Sequence, residues 1–289
     1  MNFVVLPARV EFEAQDRLEL RAGEEANLFR GALGAALRHL SCNCDSSPAQ
    51  HGGHSEGCAY ARLFEPVWRD GPGGYRNAPR PFVLRCNNNA QEIMPGKTFT
   101  LDVFLFDIRE SPWAILQEAF TIAAANGFGP ARARARSVTL RPADPVRLPI
   151  TGTPGHGHLR LHFATPTELK EAGSVIDRPH FPTLIHRLAE RTRALGRLYQ
   201  GWTHDASGYK FTEVAEVKLL DCEWTRTDIF RRSASNGEVH SIGGFVGRAS
   251  YCGPVGRFLP LLEIARWTGV GRQTVWGKGE VRVEAFERL

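Results

Sequence analysis

Helical periodicity appears first over residues 25–40, where Leu28, Phe29, Leu33, Ala36, Leu37 and Leu40 recur at three- and four-residue intervals. Gly31 and Gly34 weaken that helix but leave room for close packing on one side. Residues 112–126 and 254–268 predict two more helices of matched design. Each opens on a proline and runs into a Gly-x-Gly, at 127–129 and at 269–271. Residues 179–199 predict a long amphipathic helix carrying Leu184, Ile185, Leu188, Leu195 and Leu198. Strand patterns fall at 3–13, 81–86, 98–106 and 131–140, then at 158–165, 211–224, 239–252 and 280–286. Alternation is clearest at Phe99, Leu101, Val103 and Leu105.

Each half therefore reads βαββαβ. The expected fold class is α+β, with tandem ferredoxin-like (RRM-like) domains over residues 1–145 and 155–289. A long irregular insertion containing Cys and His occupies about 41–79 of the first domain, with a turn of helix expected at 59–64. The Pro/Gly-rich stretch 141–157 is the expected hinge.

Composition narrows the setting. The 289 residues are 42% hydrophobic and 23% charged, as in folded soluble proteins. No apolar run approaches the roughly 18 residues of a membrane helix, and the N-terminus lacks a signal-peptide pattern. A cytoplasmic protein without a membrane partner is expected, and disulfides are not expected in its six cysteines. The net charge is only +5, but 31 of the 36 basic residues are Arg. Arg suits phosphate and stacks on bases, although a GC-rich genome produces the same bias. Residues 226–289 hold 10 basic and 6 acidic residues, which places the excess near the C-terminus and points to an anionic partner there.

Four features could carry chemistry. In the glycine-rich loop 269–279, Gly269, Gly271, Gly277 and Gly279 would free main-chain amides for an anion, with Arg272, Gln273, Thr274 and Lys278 adding polar contacts and Trp276 a stacking face. The loop follows a helix and precedes a strand, which excludes a dinucleotide fingerprint, and it lacks the Gly-Lys-Ser/Thr ending of a P-loop. A mobile glycine hairpin is the plainer alternative. On the strand expected over 131–140, Arg132, Arg134 and Arg136 would stand in a row about 7 Å apart, matching phosphates or merely blunting an edge. Arg232 belongs to a weaker basic cluster. In the insertion, Cys42, Cys44, His51, His54 and Cys58 offer a structural zinc site or stand as free thiols and exposed imidazoles. His39, at the end of the first helix, could act as general acid or base. No Gly-x-Ser-x-Gly elbow, His-Glu-x-x-His pair or paired acidic motif is present.

Several of these segments fall in one family's order: residues 28–38 (LFRGALGAALR), 58–65 (CAYARLFE) and 80–84 (RPFVL), then Trp224, Arg232-Ser233, 242–247 (IGGFVG), Leu261-Leu262 and the glycine loop. Nearly the whole chain resembles the CRISPR-associated precursor-RNA processing endoribonucleases of the RAMP superfamily, which serve antiviral defence. The resemblance implies tandem ferredoxin-like domains whose partner is the precursor CRISPR RNA repeat, with CRISPR effector complex subunits as further partners. It implies cleavage with no catalytic cofactor: the 2′-hydroxyl attacks the adjacent phosphate and leaves a 2′,3′-cyclic phosphate and a 5′-hydroxyl. The family often places a His in or just after the first helix, which points to His39, with His51 and His54 as rivals. Extra cysteines are common in the family's loop where this chain has His51 and His54; if the two replace metal-binding thiols, they are ligands and not catalysts. The alternative within the resemblance is a RAMP subunit that holds guide RNA in an effector complex and cuts nothing.

Overall fold

The computed structural model describes residues 1–21, 23–42, 54, 57–68, 78–86, 92–176, 178–203, 211–228, 230–232, 239–241 and 243–289. The chain divides into two compact units, Leu6–Pro145 and Val146–Leu289, the second completed by Met1–Val5.

The first unit takes most of β1 (Asn2–Ala14), then α1 (Glu25–Ser41), α2 (Ala59–Phe64), β2 (Phe82–Cys86), β3 (Thr98–Leu105), α3 (Trp113–Asn126) and β4 (Ala135–Pro142). Its sheet is antiparallel in the order β2-β3-β1-β4. Aromatic side chains from separate elements converge on the helix-covered side. Phe12 of β1 stacks on Phe99 of β3 with centroids 4.9 Å apart, and Phe29 of α1 meets Phe128 edge-on, also at 4.9 Å. All four are buried, as is Phe120 of α3. Truncating any one to Ala would cost about 3–5 kcal/mol, a transfer loss plus a cavity that its rigid neighbours cannot refill.

The second unit contains β5 (Val146–Pro149), which pairs with Asn2–Val5, then β6 (Gly157–Thr167), α4 (Phe181–Tyr199), β7 (Lys218–Thr227), β8 (Gly244–Gly253), α5 (Leu259–Thr268) and β9 (Val281–Arg288). Its sheet runs β7-β8-β6-β9, again second, third, first, fourth strand. Leu184, Ile185 and Leu188 of α4 and Leu261, Leu262 and Ala265 of α5 cover Leu159, Leu161, Phe163 and Tyr251 of the sheet. The Tyr251 hydroxyl donates to the Pro179 carbonyl at 2.8 Å, so its burial leaves no phenol stranded.

The matched helix ends found in the sequence share a geometry. Gly127 and Gly269 terminate α3 and α5 at φ 84° and 65°, each donating its amide back to the helix. Three strand boundaries differ from expectation. Residues 211–224 open with a helical turn, Phe211–Val214, because Val214 and Val217 bury themselves three residues apart. Residues 239–252 split: Val239–Ser241 pairs with Phe230–Arg232, and β8 restarts at Gly244. Residues 131–134 lie before β4 in a tight turn, with Phe128 and Ala133 exchanging amide–carbonyl bonds. The stretch expected as hinge contains β5. Among the described residues, no helix is long and apolar enough to cross a membrane.

Candidate functional site

The last three turns of α1 form one wall of an open groove of about 570 Å³. Arg30, Gly34 and Arg38 lie along one row of the helix, and Gly31, Ala35 and His39 along the next, as four-residue spacing requires. The opposite wall is α2, with Tyr60 and Phe64. Their rings stack with 5.5 Å between centroids and 8° between planes. Arg30 lies over Phe64 at 5.2 Å and Arg38 over Tyr60 at 5.8 Å, so both guanidiniums are held at the groove by aromatic faces.

The placement of α2 is set by polar anchors. The Tyr60 amide donates to Ser41 Oγ at 3.0 Å, and Arg80 Nε donates to the Phe64 carbonyl at 2.6 Å. Tyr60 Oη donates to Glu65 Oε1 at 3.1 Å. Partial burial, reinforced by the Glu65 charge, pushes the Tyr60 phenol above its ordinary value, so it is a hydrogen-bond donor at neutral pH.

His39 is exposed and borders this groove. It also borders a smaller depression of about 110 Å³, shared with Asn126, Gly127 and Arg132. Arg132 reaches it because the turn doubles back: a Cβ on Gly127 would stand 2.1 Å from the Arg132 carbonyl oxygen. Arg132 has φ 52°, so it is not in register with Arg134 and Arg136, and the expected row of three becomes one plus two. Arg134 pairs with Asp16 at 3.0 Å and Arg136 with Glu13 at 2.5 Å. Sequence reasoning missed Arg30, Arg38 and Tyr60; the Arg-x-x-x-Gly-x-x-x-Arg spacing in 30–38 was the available signal.

The glycine loop folds differently from expectation. Lys278 is 2% exposed and Thr274 4%, and Gly269, Gly277 and Gly279 are buried. The amides of Val270, Arg272, Trp276, Gly277 and Gly279 all donate to main-chain carbonyls of the protein itself. The glycines serve close backbone approach: a Cβ would stand 2.2 Å from the Glu168 carbonyl oxygen at Gly271 and 2.0 Å from that of Val270 at Gly279. An amide already bonded to carbonyl oxygen has no donor left for phosphate, so these five amides are not the bare donors expected. Arg272 is the loop's exposed cation, half-open and paired with the buried Glu168 at 2.5 Å, and Gln273 beside it is half-buried. The Arg232 side chain lies outside the described residues.

Cys42, His54 and Cys58 come together, with ligand atoms all within 4.8 Å of one another. Cys44 and His51 lie outside the described residues. The expectation of no disulfide fails at Cys42, which is disulfide-bonded.

Two family models cover the chain. One, AF_1859_N, described as an N-terminal domain, matches residues 3–153, and one described as CRISPR-associated endoribonuclease Cas6 matches residues 161–281. The second unit carries a Cas6 endoribonuclease domain. The fold is similar to a product complex of Thermus thermophilus Cas6, with 14% identity, a TM-score of 0.58, and 97% of this chain and 99% of that one covered. A Cas6 substrate-mimic complex is similar at 20% identity and a TM-score of 0.52, covering 98% and 100%. A partial complex of Cas6-RT-Cas1 with Cas2 is similar at 10% identity and a TM-score of 0.52, covering 99% of this chain and 46% of that one. A comparison with curated proteins finds no match.

Proposed function

We propose that this chain binds the repeat of a precursor CRISPR RNA and cuts it beside His39. The observation that carries this reading is the position of His39: exposed at the end of α1, bordering both depressions, with Arg30 and Arg38 on one side and Arg132 on the other. Cleavage by a neighbouring 2′-hydroxyl needs three things. A base removes the hydroxyl proton as the 2′-oxygen bonds to phosphorus, an acid protonates the departing 5′-oxygen, and cations stabilise the phosphorane. His39 supplies one of the proton transfers, and the guanidiniums supply the charge. The products are a 2′,3′-cyclic phosphate and a 5′-hydroxyl. No metal enters the reaction.

The repeated strand order of the two sheets supports reading both units as ferredoxin-like, with a domain boundary near residues 145–155. In this reading Arg134, Arg136, Arg232 and Arg272 are outer phosphate contacts, with Gly271 and Gln273 shaping the loop around Arg272. The setting is cytoplasmic, and other CRISPR proteins are further partners. The test is incubation of end-labelled repeat RNA in EDTA. Discrete cutting that disappears when the scissile 2′-hydroxyl is replaced by hydrogen is the expected result. RNA bound but intact would instead make the chain a guide-holding subunit.

A further inference from the structure

We infer that Cys42, His54 and Cys58 form a zinc site in the reduced protein, and that the metal clips the end of α1 to the start of α2. The first ground is geometric. Cys42 Sγ and His54 Nδ1 are 3.4 Å apart. Two ligands of one tetrahedral zinc, with a sulfur bond of about 2.3 Å and a nitrogen bond of about 2.0 Å, stand about 3.5 Å apart. Cys58 Sγ falls within the same small volume.

The second ground is the support around the ligands. His54 Nε2 lies 3.0 Å from Glu65 Oε2 and donates to it, which leaves Nδ1 facing the Cys42 sulfur. A carboxylate behind a ligating imidazole is the usual arrangement at zinc, because it fixes the tautomer and raises ligand basicity. Glu65 is held in turn by the Tyr60 hydroxyl. Cys58 Sγ accepts the Ala61 amide at 3.5 Å, which fixes the sulfur at the start of α2.

Cys42 is oxidised in this structure. A zinc ligand must be thiolate, so metal binding and that disulfide exclude each other. A dithiol reductant passes two electrons and two protons to the disulfide, becoming a disulfide itself. Zinc then displaces the thiol protons of Cys42 and Cys58. Three protein ligands leave one tetrahedral position, which water can take. Because the clip spans the two helices that wall the groove, the redox state of Cys42 would control how firmly Tyr60 and Phe64 are held there.

The test reads metal rather than RNA cleavage, so it stands apart from the reading above. Protein purified with a dithiol reductant and no chelator is assayed for zinc, and cobalt is titrated into the metal-stripped chain. Stoichiometric zinc and the thiolate-to-cobalt charge-transfer band of a tetrahedral site are expected. Cys42→Ser with Cys58→Ser should abolish both. Glu65→Gln, which keeps every ligand, should weaken zinc binding about 10–100-fold in competition with a chromophoric chelator. Reduced wild-type protein that takes up no stoichiometric zinc, a double variant that keeps it, or an unchanged affinity in Glu65→Gln would overturn the assignment.

Discussion

Gly34 of α1 and Phe64 of α2 meet so closely that no side chain fits between them: a Cβ on Gly34 would stand 2.8 Å from Phe64 Cε1. The ring cannot yield, because it is stacked on Tyr60 and packed against Phe82 at 5.1 Å. Gly34→Val should therefore cost about 1–3 kcal/mol by overpacking and push α2 off the groove. Urea denaturation checks the stability. The same variant should lose RNA cleavage by more than its unfolded fraction explains; cleavage proportional to folded protein would detach the groove from the reaction.

His39→Ala should slow single-turnover cleavage at least ~100-fold while leaving RNA affinity nearly unchanged, since general acid–base catalysis is worth about that much. Arg132→Ala should behave differently. Losing a cation that contacts both ground state and phosphorane lowers affinity as well as rate, and it flattens the salt dependence of binding by about one unit of slope. Cleavage by His39→Ala at the wild-type rate would remove it from the chemistry.

Much of the scaffold was legible in the sequence, because long apolar periods report burial directly. Phe29, Leu33 and Leu37, and Phe99, Leu101 and Val103, are buried on the faces their spacing indicates. What was hidden depends on backbone conformation. The alternation in residues 131–136 looks like a strand, yet Arg132 adopts φ 52° because Gly127 lets the chain fold back on itself. Glycines near the C-terminus carry the same ambiguity. A flexible loop for ligands and a tight turn for packing have one composition, and only the carbonyls opposite Gly271 and Gly279 distinguish them. The groove was illegible for another reason: α2 is distant in sequence, and its aromatic face against Arg30 and Arg38 is a tertiary product.

Arg136 and Arg134 hold Glu13 and Asp16 below the ordinary carboxylate range, chiefly through direct hydrogen bonds. A depressed carboxylate contributes stability that is complete above its unfolded value and is lost as the pH falls through the folded one. Stability measured by urea midpoint should therefore decline below about pH 4. Glu13→Gln with Asp16→Asn should make that decline shallower while changing little at pH 7, because exposed pairs contribute modestly. An acid limb identical to wild type would mean the pairs do not form in solution.

The glycine loop gives the sharpest separation of structure from contact. Gly279 has φ 74°, and an added Cβ would stand 2.0 Å from the Val270 carbonyl oxygen. Gly279→Ala should cost about 3 kcal/mol through strain and clash together. Lys278 is buried, so Lys278→Met should alter stability and leave the salt dependence of RNA binding where it was. Arg272 is the exposed member, and Arg272→Gln should reduce that slope by about one while keeping a hydrogen bond for Glu168. Filter-binding affinities over a range of salt concentrations compare the two directly. A reduced slope in Lys278→Met, with Arg272→Gln unchanged, would mean that the loop opens to meet RNA and that its packed form is not the one that binds.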